Sequence, residues 1–270
     1  PPWEKITLLE REFFSSFENI VKEKRSNIRK QLIEDLKISN AEVYHAWTIA
    51  NIEVDKQKQF MTASKRFALS AVGELNLYPL FVENNSNLIN NNGFSGIIIK
   101  SGMLQSPTWA AFTQYLIEER KIISAYDFRN WAGWFPAIGY HERFTLLTIT
   151  GNSNTMEFGF YLDDTSEIKF SEKVFLLTAD ECLKINPLSK NIATFSSKKD
   201  KDILVSIYSR FNIIAEIQDW NIRYTTGLHM SSDASELRTI EELMAEGYSL
   251  DKNIFKANKR NYFPLLEGKL

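Results

Sequence analysis

The chain has 270 residues, with 32 Lys and Arg against 34 Asp and Glu and a formal net charge of −2. There is therefore no global basic signature of a nucleic-acid binder, although a groove needs only a local basic face. An apolar share of 44% with 13% aromatics can fill the core of one large domain or two modest ones. The lone Cys182 excludes an internal disulfide, and His45, His141 and His229 are too scattered to suggest a zinc cluster. No apolar run reaches the length of a membrane span and no signal-peptide pattern is present. A soluble, cytoplasmic protein with no membrane partner is the expectation.

In chain order, Ile6, Leu9, Phe13 and Phe17 fall at helical spacing over 4–21. The charged stretch 18–37 reads as a solvated helix or helix pair. Ser39 and Asn40 are placed to cap a long helix running to about residue 67, with Val43, Trp47, Ala50, Val54 and Met61 along it. Residues 75–81 lead into another helix, and Asn90-Asn91-Asn92-Gly93 predicts a turn, because Asn and Gly tolerate left-handed backbone.

The centre of the chain is 93–151. Three consecutive β-branched residues, Ile97, Ile98 and Ile99, predict a strand over 95–101 that is buried on both faces, as in a parallel sheet covered by helices. Ser106 followed by Pro107 opens a helix over 106–120 whose buried stripe is Trp109, Phe112 and Leu116. A strand over 121–128, an aromatic loop over 130–140 and a strand over 143–150 follow. Strand, crossover helix and strand is the unit of a parallel sheet. After a turn at 151–155 comes a strand over 156–162, so 143–162 is expected to form an antiparallel hairpin at the sheet edge.

Further on, Thr178 with Glu181 forms a capping box. A helix over 199–210 places Ile203, Leu204, Ile207, Tyr208 and Phe211 on one side. From Trp220 short strand-like pieces alternate with polar loops around a helix at 239–245. A domain boundary is expected near Leu177.

The beginning, PPWEKI, resembles the catalytic signature of amino-directed DNA methyltransferases: a polar residue, two prolines and an aromatic, with the polar position falling just before Pro1. Other stretches resemble adenine-N6 methyltransferases in the same order. GIIIKSGMLQS resembles the strand and turn after the catalytic motif. KIISAYDFRN and WFPAIGYHERFTLLTITG resemble the later strand, the adenine-contacting loop and the closing hairpin. NPLSKNIATFSSKKDKDILVSIYSR, WNIRYTTGLHMSSDASELRT and YFPLLEGKL resemble the region downstream in large bacterial restriction-modification and phage-exclusion types.

The resemblance implies S-adenosylmethionine as methyl donor, held on earlier strands around a Gly-rich turn that this sequence does not contain. It therefore implies a piece of a longer enzyme. Residues 1–177 would be the C-terminal part of a catalytic domain, and 178–270 a linker and the start of a target-recognition region. The implied fold is α/β: part of a Rossmann-like methyltransferase sheet (later strands and closing hairpin) with long N-terminal helices, then a smaller α+β region. The implied partners are double-stranded DNA and the N-terminal part of the catalytic domain.

By the same resemblance, the Pro1 carbonyl would accept a hydrogen of the adenine amino group, Pro2 would stiffen the turn, and Trp3 would stack on the flipped-out base. Phe135 would form the other wall of the base pocket. In the chain by itself the Pro1-Pro2-Trp3 segment is expected to be frayed and inert, and no methyl transfer is expected. Trp131 and Trp134 are expected to pack the hairpin.

Lys198, Lys199, Lys201, Arg210, Arg223 and Arg238 could touch phosphates. The plainer alternative is a solvated helix face, since Asp200 and Asp202 interleave with the lysines. A non-catalytic DNA-recognition or interaction module is the alternative function. A metal-dependent nuclease, from the Glu267-Gly268-Lys269 spacing, ranks third because no partner carboxylate is identifiable.

Overall fold

The computed structural model describes residues 1–214, 217, 227, 229, 231–257 and 260–265. They form two compact units, Pro1–Phe211 and Asn212–Leu270.

The first unit opens with four helices, α1 (Glu10–Phe13), α2 (Glu18–Lys22), α3 (Ser26–Ser39) and α4 (Ala41–Ala63). The single helix expected over 4–21 is instead two short ones. Residues 4–6 are held extended, because Lys5 bridges Asn76, Ile6 N–H donates to Leu75 O and Leu77 N–H donates to Glu4 O. Phe14, Ile20, Ile33 and Leu36 make a small core of their own, with Phe13, Phe17 and Trp47 packed around it. Asn40 caps α4, its side chain accepting from Val43 N–H. Along α4 no residue is fully buried, so its apolar stripe is only half covered.

Next come α5 (Leu77–Leu88), β1 (Phe94–Lys100), α6 (Gly102–Gln105), α7 (Ala110–Glu118), β2 (Ile122–Arg129), β3 (Arg143–Thr150), β4 (Met156–Leu162) and β5 (Val174–Leu177). Ser106 caps the turn at Pro107–Trp109 that leads into α7, as its sequence predicts. The five strands form one sheet in the order β1-β3-β2-β4-β5. The α/β class expected from the sequence holds, but three expectations about the strands do not.

First, β1 and β2 run the same way without touching: β3 lies between them, antiparallel to both. Second, β3 and β4 do not form a hairpin. Among the described residues the only parallel pair is β2 with β4, and β2 sits between β3 and β4. The five residues 151–155 pass beneath the start of β2, where Thr150 N–H donates to Lys121 O and Ser153 N–H to Arg120 O. Five residues easily span the two inter-strand spacings of ~4.8 Å each that this crossing requires. The true hairpin is β2 to β3, and the aromatic loop is its connection. Third, β1 is an edge strand covered on one face. Ile97 and Ile99 are buried while Ile98 is 40% exposed. An isoleucine run does not distinguish a strand covered twice from an edge strand covered once.

Because side chains alternate along strands, the two faces of the sheet carry different cores. On one face Ile97, Ile99, Ala125, Leu147, Ile149 and Phe158 pack against α5, α7 and the helix α8 (Ala179–Ile185). On the other, Phe128, Phe144 and Leu162 form a smaller aromatic cluster. Leu162 reaches that face because β4 carries an extra residue at Tyr161, whose φ is 57°. Beyond Leu177, α8 and α9 (Lys198–Arg210) belong to this same unit, with Cys182, Ile185, Ile192 and Phe195 in its main core. By packing, the chain therefore divides after Phe211 rather than near Leu177.

The second unit contains α10 (Ile240–Ala245), opened by a capping box between Thr239 and Glu242, and a three-stranded antiparallel sheet, β6 (Ser249–Asp251), β7 (Ile254–Lys256) and β8 (Asn261–Tyr262). Among the described residues no helix is long and apolar enough to cross a membrane.

Candidate functional site

The aromatic cluster on the open side of the sheet is where sequence-distant candidates meet. Trp3 is not frayed. Its indole Nε1–H donates to Ile98 O at 2.9 Å, satisfying a carbonyl on the free edge of β1. The bridge at Lys5 and Asn76 fixes the chain just behind it. The Trp3 ring lies 4.9 Å from the Phe135 ring at 50°, and 6.5 Å from Phe144. Phe135 meets Phe144 edge-on at 4.9 Å, and Phe144 stacks on Phe128 at 5.4 Å. An apolar cavity of about 190 Å³ opens beside them, lined by Ile98, Phe128, Trp134, Phe135, Phe144, Leu146 and Thr165.

Trp3 and Phe135 are thus in contact with each other. A base held between two rings needs about 7 Å, two stacking distances of ~3.4 Å. The pair must part by about 2 Å to admit one. A flat apolar group would then exchange one aromatic contact for two.

Phe135 is carried by the β2–β3 loop. Gly133 adopts left-handed backbone (φ 71°) and lets the loop turn back. Arg129 lies 4.0 Å above the Trp131 ring and donates to both Asp163 carboxylate oxygens, from Nε–H at 2.7 Å and from Nη2–H. Trp131 and Trp134 are 61% and 44% exposed, Trp131 lying beneath Arg129 and Trp134 lining the cavity beside the hairpin. His141 is exposed beside Tyr140.

Directly across the sheet, at the C-terminal end of β1, lies a polar cluster that sequence reasoning missed. Asp127 is buried in mid-sheet, accepting from Ser101 Oγ–H and from Arg143 Nη1–H at 2.6 Å. Arg143 also donates to Gln105 Oε1 at 2.5 Å, and Thr145 Oγ1–H to Ser101 Oγ at 2.9 Å. Burial raises the Asp127 carboxyl above the usual range, against the opposing pull of Ser101 and Arg143. The signal in the sequence was an acidic residue set between the aromatics Tyr126 and Phe128 of a strand. The cluster joins the ends of β1, β2 and β3, the rim from which the aromatic loop springs.

The basic candidates are less convergent. Lys198 and Lys199 are exposed on the first turn of α9, and Arg210 is exposed at its other end. Lys201 is largely buried and paired with Asp202 at 2.6 Å. In the second unit Arg238 donates to Ser235 O and Leu237 O and faces Glu246 at 3.9 Å. Arg223 and the Glu267-Gly268-Lys269 triplet lie outside the described residues. Among the described residues no group of three or more His, Cys, Asp or Glu is placed to hold a metal ion.

A methyl-donor site does not fit the described residues. No Gly-rich strand-to-helix turn is present among them. The turn after β1 carries a single glycine, Gly102, and its Ser101 hydroxyl is committed to Asp127.

Comparison with known proteins matches residues 49–135 to the family described as Eco57I restriction-modification methylase. That is about a third of the chain, from α4 through the aromatic loop to Phe135. No curated protein matches the chain. Among solved structures, a similar chain is the methyltransferase subunit of the type I restriction-modification system from Streptococcus thermophilus. The likeness has 15% identity and a TM-score of 0.34, and it covers 50% of this chain and 34% of that one. The chain thus spans about a third of that subunit's length.

Proposed function

We propose that the chain supplies the base-holding side of a restriction-modification DNA methyltransferase acting on adenine N6. The observation that carries the reading is the contact of Trp3 with Phe135 across 132 positions of sequence, at the free end of a sheet. The family likeness over 49–135, which ends at Phe135, supports it.

In this reading Trp3 and Phe135 part to sandwich a base extruded from the duplex, and aromatic stacking replaces part of the stacking the base loses. The Pro1 carbonyl, two residues from Trp3, accepts one hydrogen of the adenine amino group and draws the lone pair out of conjugation with the ring. Pro-Pro has no N–H to compete and a fixed φ, so it presents carbonyls rigidly. S-adenosylmethionine has no seat among the described residues, so no transfer step is assigned to this chain. The partners are double-stranded DNA and a donor-binding part of the catalytic domain.

The test is stacking itself. A single-stranded DNA containing one 2-aminopurine is expected to lose fluorescence on binding the chain, and Trp3→Ala and Phe135→Ala each to weaken that quenching at least about tenfold, the stacking contribution of one base. Quenching indifferent to both substitutions would falsify the base-holding role. With duplex DNA and S-adenosylmethionine, the chain alone is expected to transfer no methyl group. Robust methylation would overturn the absence of a donor site.

A further inference from the structure

We infer that Asn130 is the positioning residue of the base wall: its carboxamide clamps the backbone of Phe135 and holds that ring at the mouth of the apolar cavity. The inference rests on the reading of Phe135 as a base-stacking side chain.

Asn130 follows the last residue of β2 and is 1% exposed. Buried polar side chains require partners, and every partner of this one lies in the loop it begins. Its Oδ1 accepts from Phe135 N–H at 3.0 Å. Its Nδ2–H donates to Phe135 O at 3.1 Å and to Ile138 O at 3.3 Å. Its own N–H donates across the loop base to Glu142 O at 3.2 Å. A carboxamide that engages both the N–H and the C=O of one residue acts on it as a neighbouring strand would, since the two groups of an extended residue point the same way. Both backbone torsions of Phe135 are thereby restrained, and with them the direction of its ring.

The rest of the loop shows what happens without such a clamp. Trp131, Trp134 and Tyr140 are all exposed, and Trp131 lies beneath the Arg129 guanidinium. Phe135, alone among the loop aromatics, is half-buried and packed between Trp3 and Phe144. A core role would direct Asn130's bonds into the sheet, whereas here they run outward into the loop. Aspartate keeps the Oδ1 acceptor for Phe135 N–H but loses the donor; alanine loses both.

The experiment uses the full chain, wild type, Asn130→Ala, Asn130→Asp and Phe135→Ala, with two readouts. Amide hydrogen exchange reports the clamp without any DNA. The Phe135 amide is expected to be protected in the wild type and in Asn130→Asp, and to exchange freely in Asn130→Ala. Quenching of a single-stranded 2-aminopurine oligonucleotide reports the consequence. Asn130→Ala is expected to bind about tenfold more weakly, with Asn130→Asp recovering part of the loss and the far-ultraviolet circular dichroism of both unchanged. Asn130→Ala binding like the wild type overturns the inference, as does loss of the folded sheet in both variants, which would make Asn130 a core residue. If Phe135→Ala quenches as well as the wild type, the base-wall reading falls. The exchange result then decides separately whether the clamp exists.

Discussion

At the scale of single residues, burial sets the chemistry of two titratable groups outside the aromatic site. Asp127 has its carboxyl pushed up by desolvation, so the folded state holds its proton to higher pH than the unfolded chain does. Stability from this group is therefore present at low pH and falls as pH rises through the gap between the two values. Asp127→Asn removes the titration while retaining an amide that can pair with Ser101. The wild type is expected to lose thermal stability relative to this variant as pH is raised from about 3.5 to neutrality, starting near the ordinary aspartate value. Parallel unfolding midpoints for the two proteins across that range would sink the assignment. Cys182, buried on α8, has its thiol pushed up to about 12. Only the thiolate is a good nucleophile, so a thiol reagent should label Cys182 no faster than the protein unfolds. Rapid labelling of the native protein would show that α8 opens from the sheet.

At the scale of elements, two local devices hold the first unit in register. Thr178 and Glu181 reciprocally cap α8, the hydroxyl accepting from Glu181 N–H and the carboxylate from Thr178 N–H. Thr178→Ala should cost about 1 kcal/mol, read by chemical denaturation. The second device is Gly151, where the chain leaves β3. A methyl group there would run into the backbone of Asn90 and Asn91. The turn at 90–93 thus lies directly against the crossover that carries β3 past β2 to β4. Gly151→Ala should destabilise by about 1–3 kcal/mol, the usual cost of overpacking where backbone cannot yield. An unchanged denaturation midpoint would mean the two turns do not touch. Trp3 works at this scale too, because its indole satisfies one carbonyl on the otherwise unpaired edge of β1. Trp3→Phe should therefore keep most of the stacking on Phe135 but lose that hydrogen bond.

At the scale of the whole molecule, the main core, the aromatic cluster and the small helical core all lie before Phe211. A chain ending at Phe211 is expected to unfold cooperatively and to keep the near-ultraviolet dichroism of its packed aromatics. Loss of cooperativity would show that the first unit depends on residues after Phe211. Since Trp3 and Phe135 both belong to this unit, 2-aminopurine quenching should survive the truncation as well.

The helices and their caps were legible in the sequence because the forces that set them are local. Asn40, Ser106 and Thr178 each cap where their spacing predicts, and the strands at 143–150 and 156–162 lie where turn residues and β-branched runs place them. The association of Trp3 with Phe135 could be anticipated only by resemblance to a family, because nothing in the intervening sequence encodes it. Strand order was decided by tertiary structure. A short turn after β3 suggests a hairpin with β4, yet β2 fills that place, since register follows which faces find cover and not which strands are neighbours in sequence. Asn130 escaped a reading of pattern because only the folded loop turns Phe135 back onto it, and Asp127 for the same reason as strand order. A polar residue among apolar ones is visible in a sequence, but its partners come from chain segments that only folding brings within reach.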